Sequence, residues 1–225
     1  MGGRVMPPQP TGAIPHHLDH LVFATPDLPT AVASLEEAIG VRATPGGRHP
    51  GRGTRNYLIS FSDTSYLEII GPDDEAEADA SDGSTEAKPF GLNELDEPVL
   101  RGWAVHPADL DEAAVAARRA GADLGDPWPV SRRTPEGTLL RWRLASRHPA
   151  PFDGVVPFLI DWGQTAHPAS SGLPAARLES LTLRHTNPAA ATHVLTALGV
   201  DLPVAAGRPG LTAVVSGPKG SIVLS

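Results

Sequence analysis

The chain has no cysteine, and that single absence removes disulfides, thiolate metal ligands and a cysteine nucleophile together. Any metal would have to sit on His, Asp or Glu. Aromatic residues are scarce, at 5%. No apolar run approaches the ~20 residues that span a bilayer, so a membrane protein is not expected. Residues 1–17 carry Pro and Gly where a secretory leader needs an apolar stretch, which predicts a cytoplasmic protein with a loose tail over 1–17. Positive charge is in short supply too. Against 26 Asp and Glu stand 18 Lys and Arg, a net charge of −8, and such a surface repels a phosphate backbone. Nucleic acid is therefore not an expected partner.

What is present is ordinary globular material: 40% hydrophobic and 20% charged residues over 225 positions, enough for a sizeable core built from repeated units. Three segments share a pattern. Leu18 to Asp27, Gly102 to His106 and Leu178 to His185 each read as a short strand ending in a turn. A helical stretch follows each one, over Pro29–Ile39, Asp109–Ala120 and Pro188–Leu198, and each stops at or next to a Gly suited to ending a helix. Leu28, Val32, Leu35 and Ile39 have the spacing of an amphipathic helix, with Asp27 and Asp109 as N-caps.

Strand candidates come next: Arg55–Ser62 and Ser65–Ile70, then Leu139–Ala145 and Val155–Trp162, then Leu211–Ser216 and Ser221–Leu224. The period is roughly 80 residues. The expectation is an α+β fold of βαβββ modules over 18–71 and 99–165, a third, shorter module over 176–225, and an acidic, solvated linker over 72–98.

Several segments carry a resemblance. Leu18-Asp19-His20-Leu21-Val22 puts a His in the first strand, and Tyr66-Leu67-Glu68-Ile69-Ile70 puts a Glu in the last strand of that unit. Together with Gly47 to Asn56, Ser131 to Trp142 and Val156 to Gly163, they resemble the glyoxalase-like domain family of the vicinal oxygen chelate superfamily. The resemblance implies an open, cupped mixed sheet that holds a small-molecule ligand in its concavity. It also implies a divalent ion (Zn, Ni, Mn or Fe) on His20 and Glu68, and no organic cofactor. Neither later module repeats the histidine, since Gly102 and Ser180 stand in its place. Asp161 is the nearest counterpart of Glu68 and the expected further ligand, subject to a one-residue register shift that would turn it to the other face.

Other residues are candidates by their chemistry. His49 and Asn56 lie in a Gly-rich segment expected to form the rim of the ligand site, with His49 or Glu68 moving a proton. As polar rim residues, neither His49 nor Asn56 is expected to carry packing. Arg48, Arg52, Arg55, Arg132 and Arg133 could clamp an anionic group, with Arg132 the best placed. Trp142 and Trp162 either line the pocket or fill the core. His106 and His185 end strands and are read as structural or exposed. No Gly-x-Ser-x-Gly elbow and no phosphate loop occurs.

Three functions remain. The leading one is a metal-dependent lyase, isomerase or dioxygenase acting on a small oxygen-rich substrate. The second is a non-catalytic protein that binds an antibiotic or metabolite. The third is an assembly module whose cup edges pair two copies as a homodimer.

Overall fold

The structure, a computed structural model, describes residues 14–49, 51–73 and 89–225. The first unit runs β1 (Leu18–Ala24), α1 (Leu28–Ile39), β2 (Thr44–His49), β3 (Thr54–Ser62) and β4 (Ser65–Pro72). The second runs β5 (Val99–Val105), α2 (Leu110–Arg119), β6 (Trp128–Arg133), β7 (Leu139–Ala145) and β8 (Phe158–Asp161). The third runs β9 (Arg177–His185), α3 (Pro188–Ala197), β10 (Val204–Ala206), β11 (Gly210–Gly217) and β12 (Gly220–Leu224).

Local chemistry sets the helix limits. Asp27, Asp109 and Asn187 accept from the backbone N–H of Thr30, Glu112 and Ala190, respectively, and so satisfy donors the first turn leaves open. Gly40 ends α1 in the left-handed region at φ 74°. The buried stripe of α1 is Leu28, Ala31, Leu35 and Ile39, so Ala31 takes the core position expected of Val32, which is half-buried.

Three strands that the βαβββ pattern requires had no placed range in the sequence: β2, β6 and β10. The first two read Thr-Pro-Gly-Gly-Arg-His and Trp-Pro-Val-Ser-Arg-Arg, with proline, glycine and arginine where a strand pattern wants branched apolar residues. Their partners make them strands. β2 pairs antiparallel with β3, and β6 with β7.

Eight strands form one ring in the order β1-β4-β3-β2-β6-β7-β8-β5. Each unit keeps its first and last strands side by side and parallel, β1 with β4 and β5 with β8, and β1 meets β5 antiparallel. The expected cup thus curls until its far edges touch, and the seam between β2 and β6 is the single pair Arg48 and Arg133. Gly47, at φ 141°, makes that approach feasible, because a Cβ there would stand 2.0 Å from the Arg133 carbonyl oxygen.

The third unit repeats the element order but not the strand order. It is a separate four-stranded sheet, β10-β9-β11-β12. Its β11–β12 turn docks on the end of α1 through Lys219 N–H to the Ile39 carbonyl, 3.1 Å. The main apolar core contains Leu35 and Ile39 of α1, Ala114 and Ala117 of α2, and Leu181 and Val215 of the third unit. α1 is therefore packed between the barrel and the third sheet, while α2 packs on β8 and on α3, and the apolar surface so buried is worth roughly 25 cal/mol per Å². A second cluster, with Leu58, Tyr66, Ile160 and Trp162, lies inside the barrel.

The tail over 1–13 and the linker over 74–88 lie outside the described residues. At the edge of the expected solvated linker, Asp73 is buried, 3% exposed, with Oδ2 3.4 Å from Arg48 Nη1. At the other edge a 3-10 turn, Pro89–Glu94, packs Leu92 against Val22, Ala24 and Ile70.

Candidate active site

Strand alternation decides which side chains face inward. On β4, Tyr66, Glu68 and Ile70 point into the barrel while Leu67 and Ile69 join the helix-side core. Register then sets neighbours: His20 of β1 lies opposite Tyr66, and Asn56 of β3 lies opposite Ile70, beside Glu68. The result is a cavity of about 340 Å³ lined by His20, His49, Asn56, Glu68 and Arg132 together with Trp142 and Trp162.

His20 and Glu68 come together, Nε2 to Oε2 3.8 Å, and both are buried. His49 approaches the other oxygen of the same carboxylate, Nε2 to Oε1 3.9 Å. Asn56 donates its amide to Oε1 at 2.5 Å. Each histidine has its other nitrogen occupied, His20 Nδ1 by Asp19 Oδ1 at 2.5 Å and His49 Nδ1 by Thr54 Oγ1 at 2.9 Å. Both imidazoles therefore aim Nε2 at one carboxylate. Asn56 is only 4% exposed and the His49 side chain 9%, so both are buried on the cavity lining rather than standing on an exposed rim.

Asp19 was not singled out from the sequence, although it adjoins His20. Its carboxylate, 1% exposed, accepts from His20 and from Trp162 Nε1 at 2.9 Å, and lies 3.2 Å from His167 Nε2. Burial alone would push this carboxyl up, but the hydrogen bonds and charges of His167 and His20 outweigh it and hold Asp19 well below the usual carboxylate range. An ionised carboxylate can only accept, so His20 donates its Nδ1–H to Asp19 and turns Nε2 toward Glu68 and the cavity.

His49 behaves differently. Desolvation pushes its pKa down to about 4, with Glu68 opposing and Arg132 and Arg52 reinforcing the fall. It is a neutral imidazole at pH 7. Tyr66 stacks on His20 with ring centroids 4.7 Å apart. Burial, with Asp19 and Glu68 nearby, pushes its phenol up, so it stays protonated.

Arg132 is 4% exposed and lines the cavity. It donates to the Gly46 carbonyl, and no carboxylate among the described residues lies within ion-pair distance of it. Of the other arginines, Arg48 pairs with Asp73 and Arg133 bonds the Gly137 carbonyl, while Arg52 also lines the cavity. Arg52 stacks over Trp128, 4.6 Å from the ring centre. His106 and His185 do not border the cavity. The sequence reading also passed over Tyr66, Trp128 and Phe158 as lining residues; their alternation with outward neighbours was the available signal.

Asp161 is not brought to the site. Ile160 and Trp162 line the cavity, so the residue between them faces out, where Asp161 Oδ1 accepts from Gly163 N–H. This corrects its assignment as a metal ligand, and the register shift is the cause. A divalent ion, which the resemblance implies, finds a poor donor set in what remains. One oxygen of Glu68 is taken by Asn56, and a cation beside His49 would meet the fixed charges of Arg132 and Arg52. Among the described residues, no group of three or more His, Asp or Glu could hold a metal ion. The residues present do not fit a resident metal centre.

No helix among the described residues is long and apolar enough to cross a membrane. No curated protein matches the chain. Among solved structures, a hypothetical protein from Staphylococcus aureus superposes with a TM-score of 0.60 at 15% identity, covering 92% of this chain and 84% of that one. Methylmalonyl-CoA epimerase from Streptomyces coelicolor is 23% identical over 69% of this chain and 100% of its own, with a TM-score of 0.44. The Mycobacterium tuberculosis enzyme is 18% identical over 65% and 86%, with a TM-score of 0.38. The first of these supports the fold alone. The family model for the glyoxalase-like domain matches residues 18–199, which takes in every residue of the cavity described above, and the chain belongs to that family.

Proposed function

We propose that this protein is a proton-transferring lyase or isomerase acting on a small, oxygen-rich substrate inside the barrel. The observation that carries this reading is the placement of Glu68, buried, anchored by Asn56 and faced by the Nε2 atoms of His20 and His49 at 3.8 and 3.9 Å. Of the reaction classes the resemblance implies, isomerisation needs only that a proton leave and return, and a lyase reaction can begin with the same proton abstraction before its leaving group departs.

In this reading Glu68 takes a proton from carbon next to a carbonyl. His20, with Nδ1–H donated to the ionised Asp19, offers Nε2 as a second acceptor and becomes an imidazolium that Asp19 stabilises. Negative charge growing on the substrate oxygen faces Arg132, a fixed cation in a site of low polarity. Neutral His49 sits beside Glu68 without competing for its charge. Nothing in this sequence of steps calls for a metal.

The test is solvent exchange. Small 2-oxo and 2-hydroxy acids are incubated with the full chain in deuterated buffer, and deuterium at the carbon next to the oxygen is followed by proton NMR. Exchange above the buffer rate that Glu68→Gln abolishes supports the reading; a panel that binds yet never exchanges overturns it. A second reading is a non-catalytic small-molecule binder, supported by the half-buried rings of Trp128, Trp142 and Phe158 on the cavity lining. Binding without exchange is the outcome it expects.

A further inference from the structure

The chain has only 4 Trp, 2 Tyr and 5 Phe, yet one cavity collects Trp128, Trp142, Trp162, Phe90, Phe158 and Tyr66. Composition does not account for that. The rings are placed as walls: Trp142 and Trp162 stand 5.1 Å apart, and Phe90 and Phe158 5.9 Å apart. Trp162 is locked by its N–H to Asp19 at 2.9 Å. Trp128, Trp142, Phe90 and Phe158 are only half-buried, so apolar ring surface is left facing the cavity, and large aromatic side chains left partly uncovered in a concavity favour a flat apolar ligand.

At the polar end the chemistry is equally specific. Arg132 is 4% exposed, with the Gly46 carbonyl as its hydrogen-bond partner and no carboxylate within ion-pair distance among the described residues. A buried guanidinium without a counter-ion is costly, and a bidentate carboxylate is the group that matches its fork. Glu68 lies at the same end, since both it and Arg132 act on His49. Its negative charge repels a second anionic group placed beside it, so a ligand carboxylate is directed to Arg132, with Arg52 also on the cavity lining.

We infer that the cavity takes a flat aromatic monocarboxylate, with its carboxylate on Arg132 and its ring between the Trp142–Trp162 pair and Phe158. This names the substrate class for the site proposed above and rests on that cavity being the site. Its test reads binding rather than turnover, so either idea can fail alone: loss of exchange leaves the ligand class standing, and loss of binding selectivity leaves proton transfer standing.

Tryptophan fluorescence of the full chain is titrated with benzoate and 2-naphthoate, with the neutral 2-naphthamide, and with the saturated decalin-2-carboxylate. The expected result is saturable quenching by at least one aromatic acid, with 2-naphthoate binding at least tenfold tighter than the amide and than the saturated acid; competition supplies the affinity of any compound that does not quench. Arg132→Gln is expected to erase the preference for acid over amide while the preference for an aromatic ring persists. Should that variant fail to fold, the comparison of compounds on the unaltered protein decides alone. Equal affinity for acid and amide, equal affinity for aromatic and saturated acid, or no saturable binding of either aromatic acid overturns the inference.

Discussion

His20 and Asp19 are consecutive residues of one strand, yet their side chains meet, Nδ1 to Oδ1 at 2.5 Å. Regular alternation would send them to opposite faces. The pairing of β1 with β5 shifts register between Leu18 and His20, and such an irregularity re-aims a side chain. One buried carboxylate thereby gathers donors from β1, from Trp162 and from His167.

Replacing that carboxylate is expected to be expensive. Asp19→Asn offers one oxygen where two now accept, and turns an amide N–H toward a donor. The expected loss is on the order of 3 kcal/mol of stability, from buried donors left without an acceptor. Urea denaturation of the variant and parent measures it, and a change under about 0.5 kcal/mol, typical of a surface substitution, would show that the cluster is not a structural anchor.

His49 makes stability depend on pH. Its pKa is about 4 in the folded chain against an ordinary 6.5, so between those values the unfolded chain holds a proton that the folded one does not. Stability contributed by neutral His49 is complete above pH 6.5 and falls as pH drops toward 4, by up to ~1.4 kcal/mol per pH unit and on the order of 3 kcal/mol in all. Denaturation midpoints from pH 7 to pH 4 should fall more steeply for the parent than for His49→Gln. Parallel curves would contradict the burial of this imidazole.

Barrel closure at the β2–β6 seam rests on glycine. In Gly47→Ala the new Cβ would stand 2.0 Å from the Arg133 carbonyl oxygen at a φ of 141°, so the seam must open. The expected cost is about 3 kcal/mol, with faster amide exchange at Arg48 and Arg133 by hydrogen-exchange mass spectrometry. Gly51→Ala is the control: its Cβ meets nothing within 4 Å, so the seam should stay protected.

Chelation is expected to change nothing. With Asp161 facing out and one oxygen of Glu68 held by Asn56, dialysis against EDTA should leave the melting temperature and the binding of 2-naphthoate within error. Elemental analysis that finds one transition metal per chain, with binding lost on its removal, would instead restore the metal reading of His20 and Glu68.

Much of the architecture was legible in the chain order. The helices over Leu28–Ile39, Leu110–Arg119 and Pro188–Ala197 follow from caps at Asp27, Asp109 and Asn187 and from apolar spacing, all of which act within a few residues. The meeting of His20 with Glu68 was anticipated only through the family resemblance, since alternation shows which residues of one strand share a face and not which strands lie side by side. β2 and β6 were not legible, since Pro, Gly and Arg become strand residues there only because β3 and β7 offer backbone partners. Asp161 illustrates the same limit: whether a strand residue faces in or out depends on register, and register is set across strands distant in sequence. The residue types, the helices and the repeated order were determined by the sequence itself through local physics. The meeting of Asp19 with His167, the burial of Arg132 with no carboxylate within ion-pair distance among the described residues, and the collection of scarce aromatics around one cavity were decided only by tertiary structure, because each depends on contacts between segments the sequence keeps apart.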